Sequence, residues 1–446
     1  MSWLFRTGRR GGSASPTLAV ALLVAALVTP LSRARAADVV RERLDNGLVV
    51  IVRENPVAPV VAVSLMTPMG TRLETPPQAG ISNFVHAVMV KGTTRRSGGQ
   101  LAEAIAALGG KITASGEVDY SEIRASALSR FWRELLGMTA ELALQPKLAP
   151  EDVDRERDWL LGRIQKRFDN APSRAFDELY AALYGSHPYA IPVLGTRESL
   201  PRIDHAMIVA RYREFYRPDR MTLAVSGQVS AAEVVAEARR LFGAMPSAAS
   251  ARDEPIPPPR AEARRVVITQ AAQQAQIVVG ALAPAMSHPD HAAVKVLSTI
   301  LGGGMAGRLF AEIRDKLGLA YTAAAYYDPV REPGALVLYL GTSPDSASRA
   351  EAALLRELER VRTEPVSADE LARAKGYLLG RFAMDRRTNE RLAWYLGFYQ
   401  VQQVGSDFSE RYRQAVEAVT PADVQRVART YLGTLTTVVL GPAPIR

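Results

Sequence analysis

The chain alternates short β-branched and aliphatic runs with longer segments whose apolar residues recur every three or four positions. Leu48–Val52 and Val60–Met66 predict two strands, an Asn-Pro turn following the first. Gly80–Val90 predicts a helix. The next helix carries Leu101, Ile105 and Leu108 at spacings of four and three and stops at Gly109-Gly110. Ile112–Leu128 predicts two strands around a turn. A longer helix starts at Pro150 with Glu151, Asp152 and Asp154 in its first turn, where acids suit the helix dipole, and runs to about Phe168. Another spans Ser173 to Gly185, and Met221–Ser226 predicts a strand that closes this half.

Residues 245–262 (MPSAASARDEPIPPPRAE) have no apolar period and read as an extended linker. After them the order repeats. Arg265–Thr269 and Gln276–Ala283 predict strands; His291–Ile300 and Met305–Lys316 predict helices. Leu319–Tyr327 and Ala335–Gly341 predict strands, Ala368–Phe382 and Asn389–Gln403 helices, and Thr436–Leu440 a last strand. The close of the first half, TLAVSG (222–227), is similar to the close of the second, TTVVLG (436–441). The pattern predicts an α+β fold of two similar domains related by duplication, each a mixed or antiparallel sheet packed with helices. The domains are placed at 37–245 and 263–446, joined by a Pro-rich linker over 246–262.

Composition is ordinary for a globular chain, with 48% hydrophobic and 23% charged residues. The absence of cysteine excludes disulfides, thiol nucleophiles, zinc ribbons and iron–sulfur clusters. The net charge of +9 is concentrated at the N-terminus, where residues 1–36 hold five Arg and no acid. The remainder has 50 basic and 46 acidic residues, too even a balance to point to a nucleic-acid partner. Arg6, Arg9 and Arg10 precede the apolar run Leu18–Val28, and Ala34-Arg35-Ala36 forms an A-x-A site. This is a secretory signal-peptide pattern over 1–36, and it predicts export to a bacterial periplasm with no membrane span after cleavage. An uncleaved anchor is the alternative.

The stretches GISNFVHAVMVKGT (80–93) and LGGGMAGRLFAEIRDKLGLAY (301–321), with several shorter ones, together resemble the pitrilysin/insulinase-like zinc peptidases, family M16. The stretch GISNFVHAVMVKGT (80–93) is similar to that family's active-site pattern G-x-x-H-F-x-E-H-x-x-x-K-G-T. LDNGL (44–48), MGTR (69–72), HPY with GT (187–196), FYRPDRMTLAVSG (215–227) and LGGGMAGRLFAEIRDKLGLAY (301–321) follow in the family's order. The resemblance implies units that close like a clamshell round a peptide chamber, with zinc held by an H-x-x-E-H helix.

The residues at the metal positions depart from that pattern. Asn83 stands at the first His, His86 at the Glu, Ala87 at the second His, and Arg163 at the distal Glu, seven residues after the Glu of Glu156-Arg157. The resemblance therefore implies a degenerate zinc site with no catalytic residue and no metal in this chain. His86 reads as a hydrogen-bonded helix residue. His288 and His291, beside Pro289, read as capping or surface residues rather than ligands.

In the second half Arg314 and Tyr321 lie seven residues apart in RDKLGLAY, and Gly318 suits a left-handed helix cap between them. Taken alone, the Arg complements a helix dipole and the Tyr packs. Within the resemblance they are the substrate-binding pair that completes an active site whose zinc sits in the opposite unit. Gly302, Gly303 and Gly304 precede the predicted helix at Met305 and read either as a substrate-contacting loop or as a helix-entry turn. An extended strand at the chamber wall could hold a peptide by strand addition. The reading that follows is a non-catalytic subunit of a heterodimeric zinc endopeptidase. The cofactor zinc is expected in an H-x-x-E-H partner, and a homodimer is the alternative assembly. A scaffold protein or a peptide-binding module without proteolytic role is the alternative function.

Overall fold

A computed structural model describes residues 39–246 and 255–442. The leader over 1–36 lies outside the described residues, as does 247–254 of the linker. Six strands form the first sheet: β1 (Val39–Arg43), β2 (Val49–Glu54), β3 (Val60–Thr67), β4 (Lys111–Gly116), β5 (Ser121–Leu128) and β6 (Thr222–Gly227). Five form the second: β7 (Arg264–Thr269), β8 (Ala275–Ala283), β9 (Thr322–Tyr327), β10 (Gly334–Thr342) and β11 (Thr436–Gly441).

The spatial orders are β1-β2-β6-β3-β5-β4 and β7-β11-β8-β10-β9. Without β1, the two orders are the same when each strand is matched to its counterpart. β2 with β6 and β7 with β11 are the parallel pairs; every other ladder is antiparallel. The two similar closing segments are thus β6 and β11, each beside the central strand and buried throughout.

The first half carries α1 (Ile81–Met89), α2 (Gly98–Ala107), α3 (Trp132–Leu144), α4 (Pro150–Asp169), α5 (Ala171–Tyr184), α6 (His205–Phe215) and α7 (Ala231–Phe242). The second carries α8 (His291–Gly302), α9 (Ala347–Thr363), α10 (Ala368–Asp385), α11 (Asn389–Val401), α12 (Phe408–Ala418) and α13 (Pro421–Tyr431). Two helices are exchanged. α5 from the first half packs on β8 and β11, and α11 from the second packs on β3 and β6. Gly280 of β8 makes room for Leu179 of α5, whose side chain would lie 3.1 Å from an added Cβ.

Each sheet is therefore covered on both faces. This explains why β3, β6, β10 and β11 read as continuous apolar runs without strict alternation. Leu179 and Leu183 of α5 are buried against the second sheet, and each such side chain contributes about 1.5–3 kcal/mol.

Asp119, in the turn between β4 and β5, ties the halves together. Its buried carboxylate accepts from Tyr189 Oη at 2.5 Å, Arg331 N at 2.8 Å and Gln402 Nε2 at 2.9 Å. Arg72, of the MGTR stretch, is buried beside Glu332 at 3.5 Å. Trp394 of α11 donates to Tyr120 Oη at 3.0 Å. No helix among the described residues is long and apolar enough to cross a membrane.

Candidate functional site

Helix α1 is fixed at its start. Gly80 precedes it at φ +87°, and an added Cβ would lie 2.5 Å from Gly195 Cα. Only glycine fits that conformation and approach. The buried carboxylate of Glu74 then accepts from Gly80 N at 2.7 Å and Ser82 N at 2.8 Å, satisfying free N–H groups of the first turn. Burial raises the Glu74 carboxyl above the usual range, against the pull of those bonds and of Arg211. Along its length α1 packs on the edge strand β4, where Gly116 lets the sheet approach the backbone of Asn83.

The donor set at the metal positions does not fit zinc. His86 is fully buried, and both its ring nitrogens are engaged: Nδ1 to Ser82 O and Nε2 to Tyr216 Oη, each 2.7 Å. A backbone carbonyl can only accept, so Nδ1 carries the proton and Nε2 accepts from the phenol. No lone pair remains for a metal. Desolvation lowers this imidazole from its ordinary value to about 4.

Asn83 offers an amide whose Nδ2 is buried without a partner, and Ala87 offers no donor. Arg163 on α4 is exposed, its guanidinium 4.8 Å from the centroid of the Trp159 ring. Glu156 is held in an ion pair with Lys91 at 2.7 Å. Among the described residues, no three His, Cys, Asp or Glu side chains come together to hold a metal ion. Asn83→His is expected to leave the chain without zinc, since the other three positions stay wrong. Metal content after gel filtration checks this; stoichiometric zinc would overturn it.

The other histidines behave differently from one another. His288 Nδ1 accepts from Asp290 N at 3.0 Å, a local capping bond. His291 corrects the surface reading: it is buried, bonded to Tyr327 Oη at 3.0 Å, and lowered by burial to about 3.

The second-half segment also departs from expectation. The predicted helix at Met305–Lys316 starts later and is a π-helix, Leu309–Lys316, whose wider turns are rare and often mark functional sites. Gly318 ends it at φ +62°, donating to Arg314 O at 3.1 Å, while Leu319 N reaches back to Ile313 O at 2.9 Å. Tyr321 N then joins Gly341 O at 2.8 Å, which starts the strand β9. Arg314 is exposed beside the Phe310 ring, and Tyr321 is 62% exposed.

Gly302, Gly303 and Gly304 do not open a helix. They end α8 and turn the chain away from it. A Cβ on Gly302 would lie 2.1 Å from Ala325 N of β9, so this glycine lets α8 pack against that strand. Gly304 sits at φ +81° beside Tyr377. The entry-turn reading of these glycines is thereby corrected: they lie at the C-terminal end of α8, where glycine is common.

The structure thus gathers Asn83, His86 and Ala87 on α1, with Arg163 on the helix that packs against it. Tyr321 directly precedes β9, the π-helix that carries Arg314 packs on β9, and Gly302 meets Ala325 of that strand, while Gly303 and Gly304 lie beside Thr299 and Tyr377. Glu74, which holds the start of α1, carries no local sequence signal, and Tyr216, which bonds His86, lies in the 215–227 stretch without being marked out within it.

A Mycobacterium leprae protein named as an uncharacterized zinc protease is 30% identical over 406 residues, covering 90% of each chain. The chain belongs to peptidase family M16. The family model "Insulinase (Peptidase family M16)" matches residues 49–197, and "Peptidase M16 inactive domain" matches 202–378. A Rickettsia bellii protein, also named as a zinc protease, is 25% identical over 410 residues, covering 90% of this chain and 97% of its own. The fold matches the crystal structure of a peptidase M16 inactive domain from Pseudomonas fluorescens, with a TM-score of 0.85 at 22% identity over 92% and 99% of the two chains. A protease from Helicobacter pylori matches at 0.84 and 22% identity, over 91% and 100%. As an M16 member with both sheets in place, this chain keeps the fold while Asn83, a fully engaged His86, Ala87 and Arg163 form a donor set that does not fit zinc.

Proposed function

We propose that this chain is the non-catalytic subunit of a periplasmic M16-type endopeptidase. It pairs with a homologue whose intact H-x-x-E-H helix holds the zinc, and supplies Arg314 and Tyr321 to the substrate in that partner's site. The observation that carries the reading is an asymmetry. On α1 and α4 the metal positions hold an amide, a sealed imidazole, a methyl and a guanidinium, while the Arg/Tyr pair of the second half stands exposed.

A guanidinium and a phenol are both donors, and donors aimed at a developing oxyanion stabilise it opposite a metal. The free edge of β9, which begins just after Tyr321, supports docking of an extended peptide by strand addition. Zinc belongs to the partner in this reading, and residues 1–36 act as the export signal. A homodimer would bring two copies of the degenerate site together and hydrolyse nothing.

The test is peptide hydrolysis by the chain from Ala37 onward, alone and mixed with an H-x-x-E-H homologue from the same genome. Activity only in the mixture, lost on chelation, is expected. Turnover by the chain alone would overturn the reading, as would a stable complex that leaves the homologue's activity unchanged. Arg314→Ala and Tyr321→Phe should lower the mixture's kcat/KM by about 10–1000-fold. Both side chains are exposed, so folding and pairing are expected to survive, which circular dichroism and gel filtration check.

A further inference from the structure

Away from the metal positions, a cavity of about 500 Å³ opens between α8, α10, α11 and α12. Its wall is aromatic, with Phe382, Trp394, Tyr395 and Phe398 among the lining residues. Four cations line it, Lys295, Arg381, Arg386 and Arg391; Arg391 is paired with Asp385 and Arg381 is exposed, which leaves Lys295 and Arg386. Lys295 of α8 donates only to the Tyr327 carbonyl, and its ammonium lies 5.5 Å from the centroid of the Tyr327 ring. It has no ion pair with a carboxylate among the described residues. An ammonium has three donors, so two of them lack protein partners.

Arg386 is held against the Phe382 and Tyr395 rings. Its Nη atoms reach the Phe382 carbonyl and Tyr399 Oη, and its Nε is buried without a partner.

The acids nearby do not cancel these charges. Asp385 is already engaged by Arg391 at 2.6 Å and by Tyr395 Oη. Asp328 is exposed and attracts Lys295 without forming an ion pair. A buried donor left unpaired, as Arg386 Nε is on this half-buried side chain, is costly unless something accepts from it. The volume suits a ligand of small-molecule size, and an apolar wall with a few converging polar groups is the usual make-up of such a site.

We propose that this cavity binds a carboxylate carried on an aromatic body. The ring lies among the aromatic side chains, and the carboxylate accepts from Lys295 and Arg386. The chemistry fits a free arylalkanoic acid and equally the C-terminal aromatic residue of a peptide. The proposal is independent of the proposed subunit role.

The test is titration calorimetry on the chain from Ala37 onward, with 3-phenylpropanoate, 3-phenylpropanamide and 2-phenylethylamine as probes. Ala-Ala-Phe with a free and with an amidated C-terminus separates the two sources. The acid is expected to bind at least about tenfold more tightly than its amide, and the amine not at all. If only the free tripeptide shows this preference, the source is a peptide terminus; if only the small acid does, it is a free acid.

Lys295→Met keeps an unbranched side chain one atom shorter and without the charge, and should weaken the acid by about tenfold or more, with an unchanged circular dichroism spectrum. Arg386→Gln is the second variant should the first fail to fold. Equal binding of acid and amide, no heat with either acid at about 5 mM, or undiminished binding by a folded Lys295→Met chain would each overturn the proposal.

Discussion

Asp119→Ala is expected to destabilise the protein by roughly 3–5 kcal/mol, the largest single-residue effect the structure supports. The carboxylate is only 5% exposed and serves donors from three separate stretches: Tyr189, Arg331 and Gln402. Truncation removes the acceptor and leaves these buried donors unsatisfied, at about 1–3 kcal/mol for each that finds no new partner. Water entering the space would recover part of that.

The consequence is more than local. Tyr189 lies in the first half, while Arg331 and Gln402 lie in the second. Loss of Asp119 therefore loosens the junction that the exchanged helices α5 and α11 maintain. Asp119→Asn should cost less than Ala but still several tenths to about 2 kcal/mol, because its amide can accept while its NH₂ faces other donors. Urea unfolding followed by fluorescence measures both. A midpoint for Asp119→Ala equal to that of the wild type would contradict the assignment of this residue as the junction's acceptor.

Acidification from pH 6.5 to pH 4 is expected to destabilise the fold by about 3 kcal/mol from each of two histidines. Desolvation holds His86 near 4 and His291 near 3 in the folded chain, both below the ordinary 6.5. Protons therefore bind the unfolded chain first as the pH falls. The stability these neutral rings contribute is fully present above pH 6.5, and it is lost progressively as the pH falls toward the folded values.

His187 is lowered by burial too and acts in the same sense. Glu74 acts in the opposite sense, since burial raises its carboxyl and its charged form is the costly one. Unfolding midpoints at several pH values between 7.5 and 4 would show the fall. His86→Gln, which can still bond Tyr216, should remove about half of it. A midpoint that is flat across that range would mean the rings are solvated.

The sequence by itself determined most of the elements. Strand runs such as Val60–Met66 and helix signals such as Pro150 with its acidic first turn act locally, through side-chain periodicity and terminal charge, so they survive without tertiary context. The residue types at the metal positions are also read directly from the chain: Asn83 is a poor zinc ligand, Ala87 offers no donor and Arg163 brings a fixed positive charge. The capping glycine Gly318 was legible for the same local reason.

Tertiary structure decided the rest. The order of elements implied two similar halves, but not that α5 would cover the second sheet and α11 the first. Helix periodicity shows that a face is apolar; it does not show which sheet the face meets. The burial of His291, the π-helix carrying Arg314 and the place of Gly302–Gly304 at the end of α8 all depend on neighbours remote in sequence. So does Asp119, an unremarkable turn residue until the fold brings three donors to it. Its role is set by long-range packing and desolvation, which have no period along the chain.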